Sequence, residues 1–144
     1  MISRSLLAFL GLLLSSAAAA APNWTILAGD IANSTYLDKA SVAKHGDFMR
    51  ADVLRNYDEV ITLGNDPVTG ADMYPHRSVK VTYHVDCGSG MVAMTSWKMF
   101  EGSLGNGEVV WADKLWGKPN LTSANDAETR DVLRSTCATK SVSR

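Results

Sequence analysis

The stretch VTYHVDCGSGMVAM, residues 81–94, decides the fold of this chain. From Val79 to Cys87, apolar or aromatic residues alternate with polar ones, which is the pattern of a strand with one buried and one solvated face. Glycines at positions 88 and 90 permit a tight reversal, and residues 91–100 return as the antiparallel partner. The pattern predicts a β-hairpin that carries Cys87 on its buried side.

More strands are predicted on both sides of this hairpin, at residues 23–29, 34–38, 47–61 and 108–116. A short turn, in which Asp38 caps nearby backbone amides, follows the second of them. The pattern of residues 47–61 is compatible with a helix as well as a strand. The preceding Gly46 and the hairpin pattern that follows favour a long strand. We therefore expect about six strands in an antiparallel meander.

The period of the sequence changes after Gly117 and Pro119. Ser123 and Asn125 are expected to cap a C-terminal helix, on which Leu133 and Cys137 lie four residues apart and therefore on one face. A sheet with one helix packed on its apolar face is an α+β domain.

The N-terminus indicates export. One positive residue, Arg4, precedes an apolar run from Leu6 to Leu14 and then small residues, which is the architecture of a secretory signal peptide. The apolar run is shorter than the roughly 20 residues that a membrane-spanning helix needs. We expect a signal peptide at residues 1–20, a single domain at residues 21–144, and no stable membrane anchor.

Export decides between the roles open to the two cysteines of the chain. A zinc site needs more Cys or His at close spacing, and a catalytic Cys needs a base beside it; the sequence offers neither around Cys87 and Cys137. Exported proteins keep disulfides, and closing a loop of about 50 residues contributes about 4 kcal/mol in the chain-entropy model. We therefore predict a structural disulfide between the strand and the helix.

The net charge and the motifs of the chain exclude several classes of partner and activity. The chain has 14 Lys and Arg against 15 Asp and Glu, a net charge of −1 at pH 7. This near-neutral balance predicts neither nucleic-acid binding nor a polybasic membrane patch. The sequence has no phosphate-binding loop, nucleophile elbow or metalloprotease motif, so no cofactor and no catalytic residue are predicted.

The chain resembles the surface-adhesin protein E-like family from about Trp24 to Cys137, through short motifs: Tyr36-Leu37-Asp38, Ser41-Val42, Gly46, Ser78, Asp86-Cys87 and Thr136-Cys137. The resemblance implies an exported bacterial protein with an antiparallel sheet tied by a disulfide to a C-terminal helix. One member of the family, a surface lipoprotein, binds host extracellular-matrix and plasma proteins and also haem, and it can dimerise. That member carries a lipidation cysteine, which this sequence lacks.

Two segments of the sequence are candidates for a metal, ligand or partner site. His84 and Asp86 share the solvated face of one strand, but no third metal ligand is evident, so no metal site is predicted. Residues 63–78 join two strands with more residues than a hairpin needs, and such loops are either functional or disordered. This loop is either a mobile segment or a contact site for a ligand or partner. The residues predicted for such a contact are Met73, Tyr74, His76 and Arg77. His76 is expected in an exposed turn.

The sequence therefore predicts a non-enzymatic binding protein of the bacterial envelope, periplasmic or secreted, with an unidentified protein partner. Two alternatives stay open at this point. One is a small periplasmic hydrolase-like enzyme whose site is assembled from distant residues. The other is a structural envelope component that forms a homodimer through an unpaired sheet edge.

Overall fold

A computed structural model describes residues 22–29 and 33–140. Its elements are β1 (Trp24–Gly29), β2 (Asn33–His45), β3 (Phe48–Ile61), β4 (His76–Asp86), β5 (Met91–Phe100), a 3₁₀ turn (Ser103–Gly105), β6 (Val109–Lys114), β7 (Thr122–Ser123) and α1 (Ala127–Lys140). The first six strands are antiparallel neighbours in chain order, and the short β7 pairs with β5. The predicted α+β meander is confirmed, whereas the predicted signal peptide lies outside the described residues.

The alternation in β4 builds the core. Val81, Tyr83 and Val85 are buried on one face of the sheet, directly opposite Val53, Ala51 and a partly buried methionine of β3. Because both neighbours of β4 present apolar residues at the same register, this face is continuously apolar. We call it the helix face.

The helix α1 covers the helix face. Val132 and Thr136, one helical turn apart, are both fully buried, while Leu133 and Cys137 pack beside the core. The helix begins after Asp126, whose carboxylate accepts a hydrogen bond of 2.8 Å from the backbone amide of Thr129. The predicted caps, Ser123 and Asn125, are therefore wrong: Ser123 belongs to β7, and a carboxylate closer to the helix satisfies its free amides.

The disulfide joins the end of β4 to the last turns of α1. Cys87 is the first residue after β4, and its Cα lies 5.7 Å from that of Cys137, to which it is bonded. The predicted link between sheet and helix is confirmed.

The expected turn after residue 38 is wrong, because β2 continues to His45 through an irregularity between Asp38 and Ala43. The Asp38 carboxylate accepts hydrogen bonds from the backbone amides of Asn23 and Ala40, and the Ser41 hydroxyl donates to the Asp38 carbonyl. These side chains satisfy the backbone groups that a bulge leaves without ladder partners, so the strand resumes beyond them.

On the opposite face of the sheet, which we call the open face, no α-helix of residues 22–29 and 33–140 is packed. The 3₁₀ turn covers one end of it: the buried Ser78 hydroxyl donates to the Gly102 carbonyl and accepts from the Gly105 amide. The amide of Leu104 donates to the Asn56 side chain. Beyond this turn the open face stays accessible.

Candidate functional site

Residues 63–74 form a small hairpin of their own. The amide of Leu63 donates to the Met73 carbonyl at 3.0 Å, and the amide of Met73 donates to the Gly64 carbonyl at 2.8 Å. At the tip, the Asp66 carboxylate accepts hydrogen bonds from two backbone amides, which lowers the pKa of this carboxyl. Because its backbone groups are paired, the segment is an ordered projection from the end of the sheet, which we call the tip hairpin.

The four predicted contact residues have different environments. Tyr74 is 37 % exposed, and its ring centroid lies 6.0 Å from that of Trp111. Met73 is partly exposed, and the guanidinium of Arg77 donates to the Asp58 carbonyl at 2.8 Å. Tyr74 and Met73 lie on the hairpin, whereas Arg77 already belongs to β4.

His76 does not lie in an exposed turn, and that expectation is wrong. It is the first residue of β4 and only 3 % of its surface is exposed. Its Nδ1 lies 2.7 Å from the Tyr74 carbonyl oxygen, and its ring stands edge-on to that of Tyr57. The imidazole is thus buried where the tip hairpin joins the sheet.

Tyr74 has a backbone conformation that bulky residues rarely adopt. Its φ is 51°, in the left-handed region, where a side chain costs about 1–2 kcal/mol. Such strain is retained at functional sites more often than elsewhere.

Large exposed apolar residues gather at the same end of the molecule. They lie at the end of β3, on the tip hairpin, on the 3₁₀ turn and at the start of β6: Val60, Ile61, Leu63, Val68, Tyr74, Leu104 and Val109. Scattered exposed apolar residues are normal, but a concentration of them marks interaction surfaces. We call this region the apolar end.

A second feature lies on the open face. A groove of about 730 Å³ runs across the far ends of the central strands, between the β2–β3 turn and the segment after β6. Its lining residues are His45, Gly46, Asp47, Phe48, Arg50, Lys80, Thr82, His84, Thr95, Ser96, Lys98, Lys114, Leu115, Gly117, Lys118 and Pro119. We call it the basic groove, since five of these side chains are Lys or Arg.

Two of the five cations, Arg50 and Lys80, pair with one buried carboxylate, that of Asp52. The Asp52 carboxylate lies 2.9 Å from the Lys80 ammonium and 3.2 Å from the Arg50 guanidinium, and it accepts a hydrogen bond from Thr82. Burial alone would raise the pKa of Asp52, but the hydrogen bonds from Lys80 and Thr82 and the charges of Lys80 and Arg50 outweigh it and lower that pKa. Asp52 is therefore ionised at neutral pH and is not a proton donor.

The two histidines of the groove lie against each other. The ring centroids of His45 and His84 are 5.0 Å apart. The ring of Phe48 stacks on that of His84, with 6.0 Å between their centroids. Burial, the neighbouring His45 and the charge of Arg50 lower the pKa of His84. His84 is therefore surrounded by groups that disfavour a positive charge on its ring.

In the part of the chain that the structure describes, no cluster of three or more His, Cys, Asp or Glu side chains could hold a metal ion. The His84–Asp86 pair is not joined by a third ligand there. The groove presents five ammonium or guanidinium groups and several hydroxyl groups, together with the imidazoles of His45 and His84 and one carboxylate, that of Asp47. Ammonium, guanidinium and hydroxyl groups bind and orient anions and polar ligands.

Sequence reasoning missed the basic groove because its charges come from four strands and a loop. Each Lys or Arg reads as an ordinary solvated residue in its own strand, and the overall charge is near neutral. The usable signal was the polar phase of β4, in which Lys80, Thr82 and His84 follow one another at every second position. Register was needed to bring Lys98 and Lys114 beside them.

The comparisons with known proteins agree with this architecture. The family model described as surface-adhesin protein E matches residues 24–138. No curated protein matches the chain in sequence. None of the described helices is long and apolar enough to cross a membrane. Since the family model spans the whole sheet, all but the last two residues of α1 and both cysteines, this chain belongs to the surface-adhesin protein E family.

Proposed function

We propose that the protein is an exported, non-enzymatic adhesin that binds a host or envelope protein through the apolar end. In this proposal residues 1–20 are a cleaved signal peptide, residues 21–144 are the working domain, and the protein acts in the periplasm or outside the cell. Membership of a family of surface adhesins supports the binding role. The same proposal makes a protein, rather than a small metabolite, the partner.

The observation that carries the choice of surface is the exposure of Tyr74. Its ring is 37 % exposed although it packs against Trp111, and its backbone is left-handed. Val68 at the hairpin tip is 90 % exposed, and Leu63 is half exposed. An ordered projection with an aromatic anchor and apolar neighbours is the composition of a protein-binding hot spot.

Exposed carboxylates, among them Asp58, Glu59, Asp72 and Glu108, lie beside the apolar residues of this end in the sequence. Arg77, the cation nearest to Tyr74 in the chain, is held by the Asp58 carbonyl, so its guanidinium is positioned beside the hairpin. Arginine and tyrosine are the side chains most enriched at binding hot spots. The predicted homodimer through a sheet edge stays a prediction; β1 forms one edge, and β6 and β7 form the other.

Capture experiments test the proposal. The exported protein is immobilised, exposed separately to envelope extract and to host extracellular proteins, and the retained proteins are identified by mass spectrometry. A Tyr74→Ala, Arg77→Ala variant should retain at least tenfold less of the captured partner, since hot-spot truncations cost about 2 kcal/mol or more. The matched control is Ile26→Ala, Arg134→Ala, which removes an exposed apolar residue and an exposed arginine far from the hairpin.

Each result has one meaning. Loss of capture in the hairpin variant alone supports the apolar end as the contact surface. Loss in the control alone moves the contact to β1 or α1, and equal capture by both variants excludes the apolar end. Intact-mass measurement of the exported protein tests the leader: a retained N-terminus or an added acyl group would contradict export by a cleaved, unlipidated route.

A further inference from the structure

The basic groove contains two lysines at paired positions of neighbouring strands, an arrangement that the fold does not require. Lys80 in β4 and Lys98 in β5 are directly opposite each other in the antiparallel register. Like charges at opposite positions of a strand pair destabilise the sheet. Asp52 neutralises Lys80, whereas no carboxylate among the described residues lies within ion-pair distance of Lys98. Lys98 therefore adds repulsion without a structural partner.

The repulsion extends along the groove. Lys114 is in β6, two positions from the residue that pairs with Lys98, and Lys118 lies on the loop that forms the groove wall. The ammonium of Lys114 stands 5.4 Å from the ring centroid of Trp116, and no described carboxylate forms an ion pair with Lys114 or Lys118. Three lysines thus face one groove without an ion pair to any described carboxylate; Asp47, which also lines the groove, pairs with none of them.

The remaining surface of the groove suits a hydroxylated ligand. Thr95 and Ser96 contribute hydroxyl groups to its floor beside Lys98. Trp116 is 88 % exposed and lies in the sequence between two lining residues, Leu115 and Gly117; the Lys114 ammonium contacts its ring, and the exposed remainder of the ring is accessible to an apolar ring face of a ligand. The groove is partly open to solvent and extends from the β2–β3 turn to the segment after β6, which leaves room for an extended ligand.

We propose that the basic groove binds an acidic polysaccharide, with Lys98, Lys114 and Lys118 contacting its sulfate or carboxylate groups and Trp116 stacking on a sugar ring. Charge complementarity selects a polyanion, because one small anion would leave part of the lysine row uncompensated. The hydroxyl groups add hydrogen bonds to sugar hydroxyls.

The choice of a polysaccharide over a nucleic acid rests on the proposed export of the protein, since acidic glycans are the polyanions of cell surfaces and matrices. The site itself does not depend on the apolar end. The groove and the tip hairpin lie at opposite ends of the sheet, so a substitution in one leaves the other intact. The two proposals can therefore fail separately.

The experiment measures binding of a fluorescent sulfated hexasaccharide to the purified exported protein by anisotropy, at several salt concentrations. A polyuronate oligosaccharide, a neutral dextran and a single-stranded oligonucleotide of similar charge serve as comparison probes. We expect binding of both acidic glycans, and a dissociation constant that rises steeply with salt because bound counterions are released. Dextran should not bind.

Three variants locate the site. Lys98→Gln, Lys114→Gln, Lys118→Gln should weaken hexasaccharide binding at least tenfold and reduce the salt slope by about one per lysine removed. Trp116→Ala should weaken binding while leaving the salt slope unchanged, because stacking releases no counterions. Lys39→Gln, an exposed lysine outside the groove, is the matched control and should bind like the parent, as should Tyr74→Ala.

Equal binding by the triple-lysine variant and the Lys39 control would overturn the proposal, and so would binding of dextran as tight as that of the hexasaccharide. Tenfold tighter binding of the oligonucleotide than of either acidic glycan would assign the groove to nucleic acid instead. Urea unfolding of each variant separates these results from misfolding, since exposed substitutions change stability by about 0.5 kcal/mol or less.

Discussion

Arg55 in β3 and Glu128 in the first turn of α1 form a two-pronged ion pair, with nitrogen–oxygen distances of 2.8 Å from both Nε and Nη2. The Tyr83 hydroxyl donates to the same carboxylate at 2.8 Å. Burial, and then the charge of Glu128, raises the pKa of Tyr83, so this hydroxyl remains a hydrogen-bond donor at every accessible pH. These hydrogen bonds hold the first turn of α1 against the sheet, whereas the disulfide holds the C-terminal end of the same helix.

Replacing this carboxylate should loosen the start of the helix. We expect Glu128→Gln to lower the free energy of unfolding by about 2 kcal/mol, because charged hydrogen bonds contribute about 1.5–3 kcal/mol each and a neutral amide retains only part of them. Arg134→Gln, which breaks an exposed pair with Asp131, is the control and should cost about 0.5 kcal/mol or less. Urea unfolding measures both; equal losses would show that Arg55–Glu128 behaves as a surface pair.

Removing the disulfide should act at the other end of α1. A Cys87→Ser, Cys137→Ser variant should lose about 2–5 kcal/mol of stability. Hydrogen exchange should accelerate most in residues 133–140, while residues 127–132 keep more of their protection because the Glu128 pair remains. Uniform loss of protection along α1 would contradict independent fastening of its two ends, and two free thiols in the folded parent would refute the disulfide.

The lowered pKa of His84 predicts a dependence of stability on pH. Burial, His45 and Arg50 lower this pKa from its ordinary 6.5, so between the folded and the ordinary value the unfolded chain binds more protons than the folded one. Stability should therefore fall as pH drops below 6.5 and level off once the folded-state imidazole is also protonated. Chemical unfolding of the parent and of His84→Gln between pH 5 and 7.5 checks this; the variant should show a smaller slope, and an equal slope would exclude His84.

The left-handed backbone at Tyr74 predicts an unusual order of stabilities. Alanine normally stabilises a chain relative to glycine, but at a φ of 51° alanine keeps the steric cost that glycine lacks. Tyr74→Gly should therefore be more stable than Tyr74→Ala by about 0.5–1 kcal/mol, after allowing for the greater entropy of the unfolded glycine chain. Thermal unfolding of the two variants measures the difference, and a more stable alanine variant would show that the turn relaxes.

The parts of the fold that sequence predicts well are those with a strict local period. The alternation from Val79 to Cys87 has period two, and Leu133 and Cys137 share a helical face, so each cysteine's direction follows from its own element. Together with two glycines in the connecting turn, these patterns specify the sheet, the helix and their link. No knowledge of distant neighbours was needed.

Features that depend on distant partners were not predictable in the same way. Asp38 has the character of a turn residue, but its carboxylate holds the amide of Asn23, which belongs to the segment before β1. His76 follows a proline in a polar segment, yet the fold buries it under the tip hairpin against Tyr57. The basic groove exists only because antiparallel register places Lys98 opposite Lys80.

The tip hairpin satisfies its own backbone hydrogen bonds, from the Leu63–Met73 pair to the Asp66 turn. Its sequence between these points can therefore vary in length and composition while the ladder of β3 and β4 below it stays intact. Substitutions and insertions in this loop should therefore change the free energy of unfolding little. Because the hydrogen bonds of the tip hairpin do not involve the ladder of β3 and β4, residues 66–70 are a suitable place to insert foreign peptides. The sheet and the disulfide-linked helix would then act as a stable scaffold for the inserted peptide.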